Sequence, residues 1–317
     1  MPAFQNSRLL LSAGTLPHAS FTERVEAARL AGYNAISLFP AQYLRAIRKE
    51  RLTPDAMRDI LAANGICVDE IDPLLDWFGP SPSPSEDLIF EIADQLGARS
   101  INAPSAYAPD IKLSQLTTAL QRLARRGQEK GLRIDLEFLP WTLVPDLQTA
   151  LQVVKDTGQA NVGVMLDCWH FFRGGDSIDT LKFLSREDAR RITSLQVNDA
   201  PSVKQTLNWR NRLALVKAMI TEVIDGIRIS GASKFFKASS AMHATRPDAM
   251  ELMQEAISGR LLPGEGDMPV AALLHALNQA GCEPTVGLEV FSLDLARLPA
   301  AEIARQCMAT YAEISQT

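Results

Sequence analysis

Eight times along this chain a short apolar run of the kind that forms a buried strand gives way to a longer segment with helical periodicity. The runs are LLLSA at 9–13, NAISL at 34–38, ICVDEID at 66–72, RSIN at 99–102, LRIDLEF at 132–138, NVGVMLD at 161–167, ITSLQVN at 192–198 and TVGLEVF at 285–291. Helical segments are expected at 21–32, 53–65, 85–97, 113–131, 145–157, 177–190, 269–281 and 298–315. Several carry their own start and stop signals. Thr53 is placed as an N-cap with Pro54 at the first helical position, and Gly32, Gly65, Gly97 and Gly281 follow the last helical residue. Repeated strand–helix alternation requires a parallel sheet with crossover helices. Eight such units in 317 residues fit one (β/α)8 TIM barrel spanning 1–317. A doubly wound open sheet is the alternative. Its dinucleotide-binding form has no support, because the first strand–turn–helix lacks GxGxxG.

Composition narrows the function classes. With 46% hydrophobic and 22% charged residues the chain is neither disordered nor fibrous. No apolar run approaches the roughly 20 residues of a membrane helix, and the N-terminal MPAFQNSRLLLSAG lacks the long apolar core of a secretory signal. Cys67, Cys168, Cys282 and Cys307 lie far apart with no CxxC pair, which suits reduced thiols in the cytoplasm. A net charge of −5 weighs against a nucleic-acid partner.

The rhythm breaks at GPSPSPS (79–85), at APSAYAPD (103–110) and in a long insertion at 201–259 after the seventh strand, with helical pieces at 210–226 and 246–258. Between 201 and 247, Lys204, Arg210, Arg212, Lys217, Arg228, Lys234, Lys237 and Arg246 stand against Glu222 and Asp225. That surplus of six positive charges leaves −11 for the rest of the chain. A solvated helical flap is the plain reading. A lid or dimer element that draws in an anionic substrate is the functional one.

Catalytic groups of such a barrel sit at the C-terminal ends of its strands. Strands five to eight end on Glu137, Asp167, Gln196 and Glu289, each inside an apolar run. A buried carboxylate is costly unless it is paired or metal-bound. Any one of these residues alone reads more readily as an interior ion-pair partner; four on successive strands point to a site. An oxygen-rich set of this kind suits Mn²⁺ or Mg²⁺, with Co²⁺ or Zn²⁺ also admissible. His170, three residues after Asp167, falls just beyond a strand end, and Asp199 follows Gln196 by three. His18 lies in the first loop, His243 in the insertion, and His275 inside a helix with a structural role. RLLPGEGDMPV at 260–270 makes a tight glycine-bearing loop that brings Arg260 near the mouth, with Asp267 expected to cap the next helix. Phe39, Trp77, Phe138, Trp141, Trp169, Phe171 and Phe291 gather at strand ends, as in sugar sites and also in ordinary rim packing.

LEFLP (136–140), MLDCWHFFRGG (165–175), LQVNDAP (195–201), RLLPGEGDMPV (260–270) and GLEVFS (287–292), in that order, resemble the sugar phosphate isomerase/epimerase superfamily with its xylose isomerase-like TIM barrel. That group includes ketose 3-epimerases, inosose dehydratases, bacterial 3-dehydroshikimate dehydratases and an endonuclease IV branch. The resemblance spans nearly the whole chain. It implies one divalent metal held by Glu137, Asp167 and Glu289, with Gln196 standing where many members have His. It also implies that His170 contacts substrate. A dimer or tetramer is the family-level expectation.

These readings lead to a metal-dependent isomerase or epimerase of a keto-sugar or polyol. Glu137 and Glu289 exchange protons through an enediolate, and His170, Arg260, Trp169 and Trp141 line the substrate. The alternative is a lyase dehydrating a keto-inositol, keto-glycoside or dehydroshikimate-like compound. The endonuclease branch implies a multi-zinc site rich in His, and this chain has four His in all. A non-catalytic barrel would require the carboxylates to be purely structural.

Overall fold

The computed structural model describes residues 3–105, 111–202 and 248–316. Eight parallel strands close a barrel in sequence order. They are β1 (Leu9–Leu11), β2 (Ala35–Leu38), β3 (Cys67–Ile71), β4 (Ser100–Pro104), β5 (Arg133–Glu137), β6 (Val162–Asp167), β7 (Ile192–Val197) and β8 (Thr285–Leu288). The ring shuts where Leu9, Leu10 and Leu11 pair with Val286, Gly287 and Leu288. Each strand overlaps the run that predicts it, and the expected barrel is the observed one.

Local chemistry explains the crossover helices. Ser20 and Glu23 form a reciprocal capping box at Phe21–Ala31. Thr53, Ser83 and Asp146 accept backbone N–H bonds at the starts of Pro54–Asn64, Pro84–Leu96 and Leu147–Asp156. Further helices cover Leu113–Glu129, Val270–Gln279 and Ala300–Gln316. Among the described residues no helix is long and apolar enough to cross a membrane.

Three expectations change. A helix at Pro40–Arg48 follows β2 directly, started by Pro40 and by Gln42, which accepts the Phe39 N–H. The single helix expected at 177–190 is two, Ile178–Leu181 and Arg186–Arg191, because Ser185 caps a separate turn. Asp267 caps no helix: its carboxylate accepts from the Ser202 N–H, and the Pro269 before Val270–Gln279 supplies no side-chain cap. The piece expected at 210–226 and the basic stretch up to Arg246 lie outside the described residues. Of the piece at 246–258, Ala249–Ala256 is helix.

Apolar strand residues such as Ile134, Leu136, Val164, Leu166, Leu195 and Val286 are fully buried. The barrel interior itself is polar. Ser194 on β7 donates across it to Glu70 on β3, and Thr285 on β8 reaches Asp69. Gly163 clears the path for another such bond. A Cβ there would overlap the Thr193 side chain, which passes β6 to bond Asp135 on β5.

Candidate active site

At the C-terminal mouth the sequence places a strand end and a helix start on one residue. Asp167 closes β6 and is the N-cap of the short helix Cys168–Gly174, its Oδ1 accepting from the His170 N–H at 2.9 Å. The Asp-x-x-His spacing therefore follows from helix geometry: the third residue after an N-cap is the one whose N–H reaches the cap. Asp167 Oδ2 stays free to face the mouth. It accepts from Asn198 Nδ2 at 2.7 Å and from Arg260 Nη1 at 2.8 Å. Asn198 in turn accepts the Trp169 N–H, which ties the helix to the end of β7.

Arg260 is held by its backbone. Antiparallel bridges join Leu261 to Asp199 and Gly259 to Ser292, and the Arg260 N–H donates to the Phe291 carbonyl. Asp199 fixes the loop that follows, accepting the N–H groups of Gly264 and Met268. Gly266 is needed for that close approach, since a Cβ would overlap the Asp199 carboxylate and the Ala200 carbonyl. From this support the Arg260 side chain, 2% exposed, enters the mouth. Its Nη1 also bonds Glu289 Oε2 at 3.1 Å, its Nη2 lies 3.4 Å from His170 Nε2, and its guanidinium sits 5.0 Å from the Phe291 ring centre. Burial opposes its charge, but the carboxylates of Asp167, Glu289 and Glu137 prevail and hold the guanidinium protonated.

Glu137, at the end of β5, has Oε1 3.3 Å from His170 Nε2, and its Oε2 accepts from Asn102 Nδ2 at 2.7 Å. The same Asn102 amide donates to Asp72 Oδ1 at 2.8 Å. Burial, reinforced by Glu137, raises the Asp72 carboxyl to about 7. Burial also pushes the Glu289 carboxyl well above its ordinary range, with Arg260 opposing and Asp72, Glu137 and Asp167 adding to it. Trp141, Trp169 and His170 pack edge-to-face, ring centres 5.2–6.2 Å apart.

The structure thus brings Glu137, Asp167, Glu289, His170, Arg260, Trp141 and Trp169 into one buried network. Gln196 is paired in register with Asp167, and its Oε1 is buried without a donor. Asp72, Asn102 and Asn198 join this network beyond the residues expected from the sequence. The strand-end criterion finds the first two once it is extended from strands five to eight to strands three and four. His243 lies outside the described residues. His275 lies inside Val270–Gln279 and bonds Gln279 on the same helix.

A divalent ion fits this donor set. Gln196 Oε1 and Glu289 Oε1 are buried acceptors with no donor. Among the described residues, Asp167 and Glu289 share the Arg260 guanidinium, and Asp72 and Glu137 are buried with no guanidinium bonded to them. As the side chains stand, no three His, Cys, Asp or Glu among the described residues converge on one point. Arg260 Nη1 stands between Asp167 and Glu289.

The family described as xylose isomerase-like TIM barrel matches residues 25–313. An inosose isomerase of Halalkalibacterium halodurans is 24% identical over 201 residues, 59% of this chain and 70% of that protein. A 3-dehydroshikimate dehydratase of Pseudomonas aeruginosa is 26% identical over 208 residues, 62% of this chain and 31% of that protein, so the match spans about a third of the dehydratase. Among solved structures, the IolI protein with a bound zinc atom superposes with a TM-score of 0.72 at 18% identity, covering 98% of both chains. That likeness is one of fold.

Proposed function

We infer the chemistry from one premise: this chain belongs to the xylose isomerase-like TIM barrel family. Its relatives include an isomerase and a dehydratase of small molecules. The activity is a metal-dependent isomerisation or epimerisation of a keto-sugar or polyol by proton transfer beside a carbonyl. The observation that carries this reading is the buried network of Glu137, His170, Asp167, Arg260 and Glu289 at the barrel mouth.

Glu137, Asp167, Gln196 and Glu289 are the residues that would hold the ion. Mn²⁺ suits their oxygen donors best, with Mg²⁺, Co²⁺ or Zn²⁺ as alternatives. When bound, such an ion polarises a carbonyl oxygen and stabilises the negative charge that builds on it. The protein's own groups do the rest. Asn102 and His170 fix the two Glu137 oxygens, which orients that carboxylate to take a proton from the carbon beside the carbonyl. Glu289 enters from β8, three strands around the ring, and is placed to return a proton to the opposite face. Arg260 and His170 orient substrate oxygens, and Trp141 and Trp169 wall the pocket.

A second reading is a lyase, favoured by the position of His170. With Nε2 beside both Glu137 and Arg260, it is placed to protonate a departing hydroxyl. The positive surplus between 201 and 247 supports an anionic substrate under either reading. The distant, unpaired cysteines support work in the cytoplasm.

The test is incubation with Mn²⁺ in D₂O against a panel of ketohexoses, inososes and 3-dehydroshikimate, followed by proton NMR. Deuterium at the carbon beside the carbonyl of an isomerised product establishes the first reading. A dehydrated product establishes the second. Neither from any member of the panel would sink the proton-transfer chemistry.

A further inference from the structure

We propose that Arg260 is the resident counter-cation of the barrel mouth and exchanges with the divalent ion for Asp167 and Glu289, so that ion loading turns the guanidinium toward the substrate pocket beside His170. The inference rests on the ion-binding part of the proposed function.

Arg260 Nη1 takes one oxygen from each of two candidate ligands, Asp167 Oδ2 at 2.8 Å and Glu289 Oε2 at 3.1 Å. Both residues belong to the set that would hold the ion. The other two candidates do not meet the guanidinium. Gln196 Oε1 is left with no donor, and so is the second oxygen of Glu289. Part of a cation site is therefore filled by the protein's own charge, while Gln196 Oε1 and Glu289 Oε1 remain without a donor. A guanidinium and a divalent ion compete for Asp167 and Glu289: both are positive, and Asp167 Oδ2 already accepts from Asn198 and Arg260.

The backbone decides which of the two yields. Arg260 is locked by the bridges Asp199–Leu261 and Gly259–Ser292 and by its bond to Phe291, so the chain cannot withdraw. The side chain can still rotate. Arg260 Nε has no acceptor to hold it, Nη2 already points to His170 Nε2, and the Phe291 face flanks the guanidinium. Rotation away from the two carboxylates therefore runs toward His170. There the fork of donors meets a substrate oxygen instead of a protein carboxylate. Binding of the ion and availability of Arg260 to an anionic substrate are then two sides of one equilibrium.

The test is Mn²⁺ affinity of the full-length apo protein by titration calorimetry, for the wild type, Arg260→Met and Arg260→Lys. Removing the competing charge in Arg260→Met is expected to lower the Mn²⁺ Kd about tenfold, within the usual range of coupling between linked ligands. Arg260→Lys, which keeps a cation there, is expected to stay near the wild type. Equal or weaker binding by Arg260→Met overturns the exchange while leaving the ion-binding reading intact. Absence of binding in all three proteins overturns both. A wild-type measurement guards against misfolding of the Met variant. The Arg260 Nε–H resonance, assigned by its loss in Arg260→Lys, is expected to shift when Zn²⁺ saturates the protein. An unchanged resonance at saturation also overturns the exchange.

Discussion

The two ends of this barrel treat buried acid in opposite ways. At the N-terminal end, Asp135 receives Arg133 Nε on both oxygens, at 2.8 and 3.0 Å, and the Thr193 hydroxyl. Asp69 is shared by Arg99 at 2.6 Å and Arg8 at 3.4 Å. There three guanidiniums serve two carboxylates. At the C-terminal end, Asp167 and Glu289 share the guanidinium of Arg260, and Asp72 and Glu137 are buried with no guanidinium bonded to them among the described residues. Both ends are built from polar residues on the same strands, often two positions apart, as with Asp135 and Glu137. The difference is whether the charge is balanced within the fold. A balanced acid ties strands together. An unbalanced one keeps free energy in reserve for whatever binds.

The largest effect that could break this contrast is on turnover. Glu137→Gln is expected to lower kcat by about 10²–10⁴-fold on whichever substrate the screen identifies, the range of a lost general base. Circular dichroism should show the fold retained. A variant with near-normal turnover would strip the mouth of its assigned role. At the other end, Asp135→Asn is expected to leave kcat within about twofold and to cost about 2 kcal/mol of stability by urea titration. It leaves Arg133, which is partly exposed, without its carboxylate. If that variant loses activity instead of stability, the division between the ends fails.

A finer test concerns the amide. Gln196→His is expected to shift preference from Mn²⁺ toward Zn²⁺ by about tenfold in relative Kd, because imidazole is the softer donor. Competition titration reads this directly. An unchanged ratio would place Gln196 outside the ion's reach. The smallest effect lies midway along the barrel. Burial, with Asp72, Asp135 and Glu289 nearby, holds the Glu70 carboxyl well above its ordinary range. The native state therefore keeps a proton that the unfolded chain releases from about pH 4 upward. Stability from this group is full at low pH and declines as pH rises toward the folded value. The apo Glu70→Gln protein should show a flatter fall in urea midpoint between pH 5 and pH 8 than the wild type. An identical slope would mean that Glu70 is ionised in the native barrel.

The fold was legible because each strand is an apolar run and most crossover helices end in Gly or open on Ser, Thr or Asp. Those signals are local, and the closed barrel follows from their number. What escaped was also local in origin. PAQYLRAIR sits directly against β2, where no loop residues announce a new helix. Ser185 divides 177–190 by capping within an otherwise helical stretch. The candidate site was legible as strand-end residues, since Glu137, Asp167, Gln196 and Glu289 interrupt apolar runs. Its wiring was not. That Asn102 joins Asp72 to Glu137, and that Arg260 reaches Asp167 from 93 positions away, depends on how eight strands are staggered. No spacing rule encodes that stagger.

The pairing of Asp199 with Leu261 and of Gly259 with Ser292 has a consequence for how this protein can change over generations. The Ser202 N–H is tethered to Asp267, and Gly259–Leu261 is stitched to the segments that follow β7 and β8. A change at Asp199, Gly259, Leu261 or Ser292 would therefore shift Arg260 together with the ends of β7 and β8. In descendants of this chain these positions are expected to change slowly and in concert.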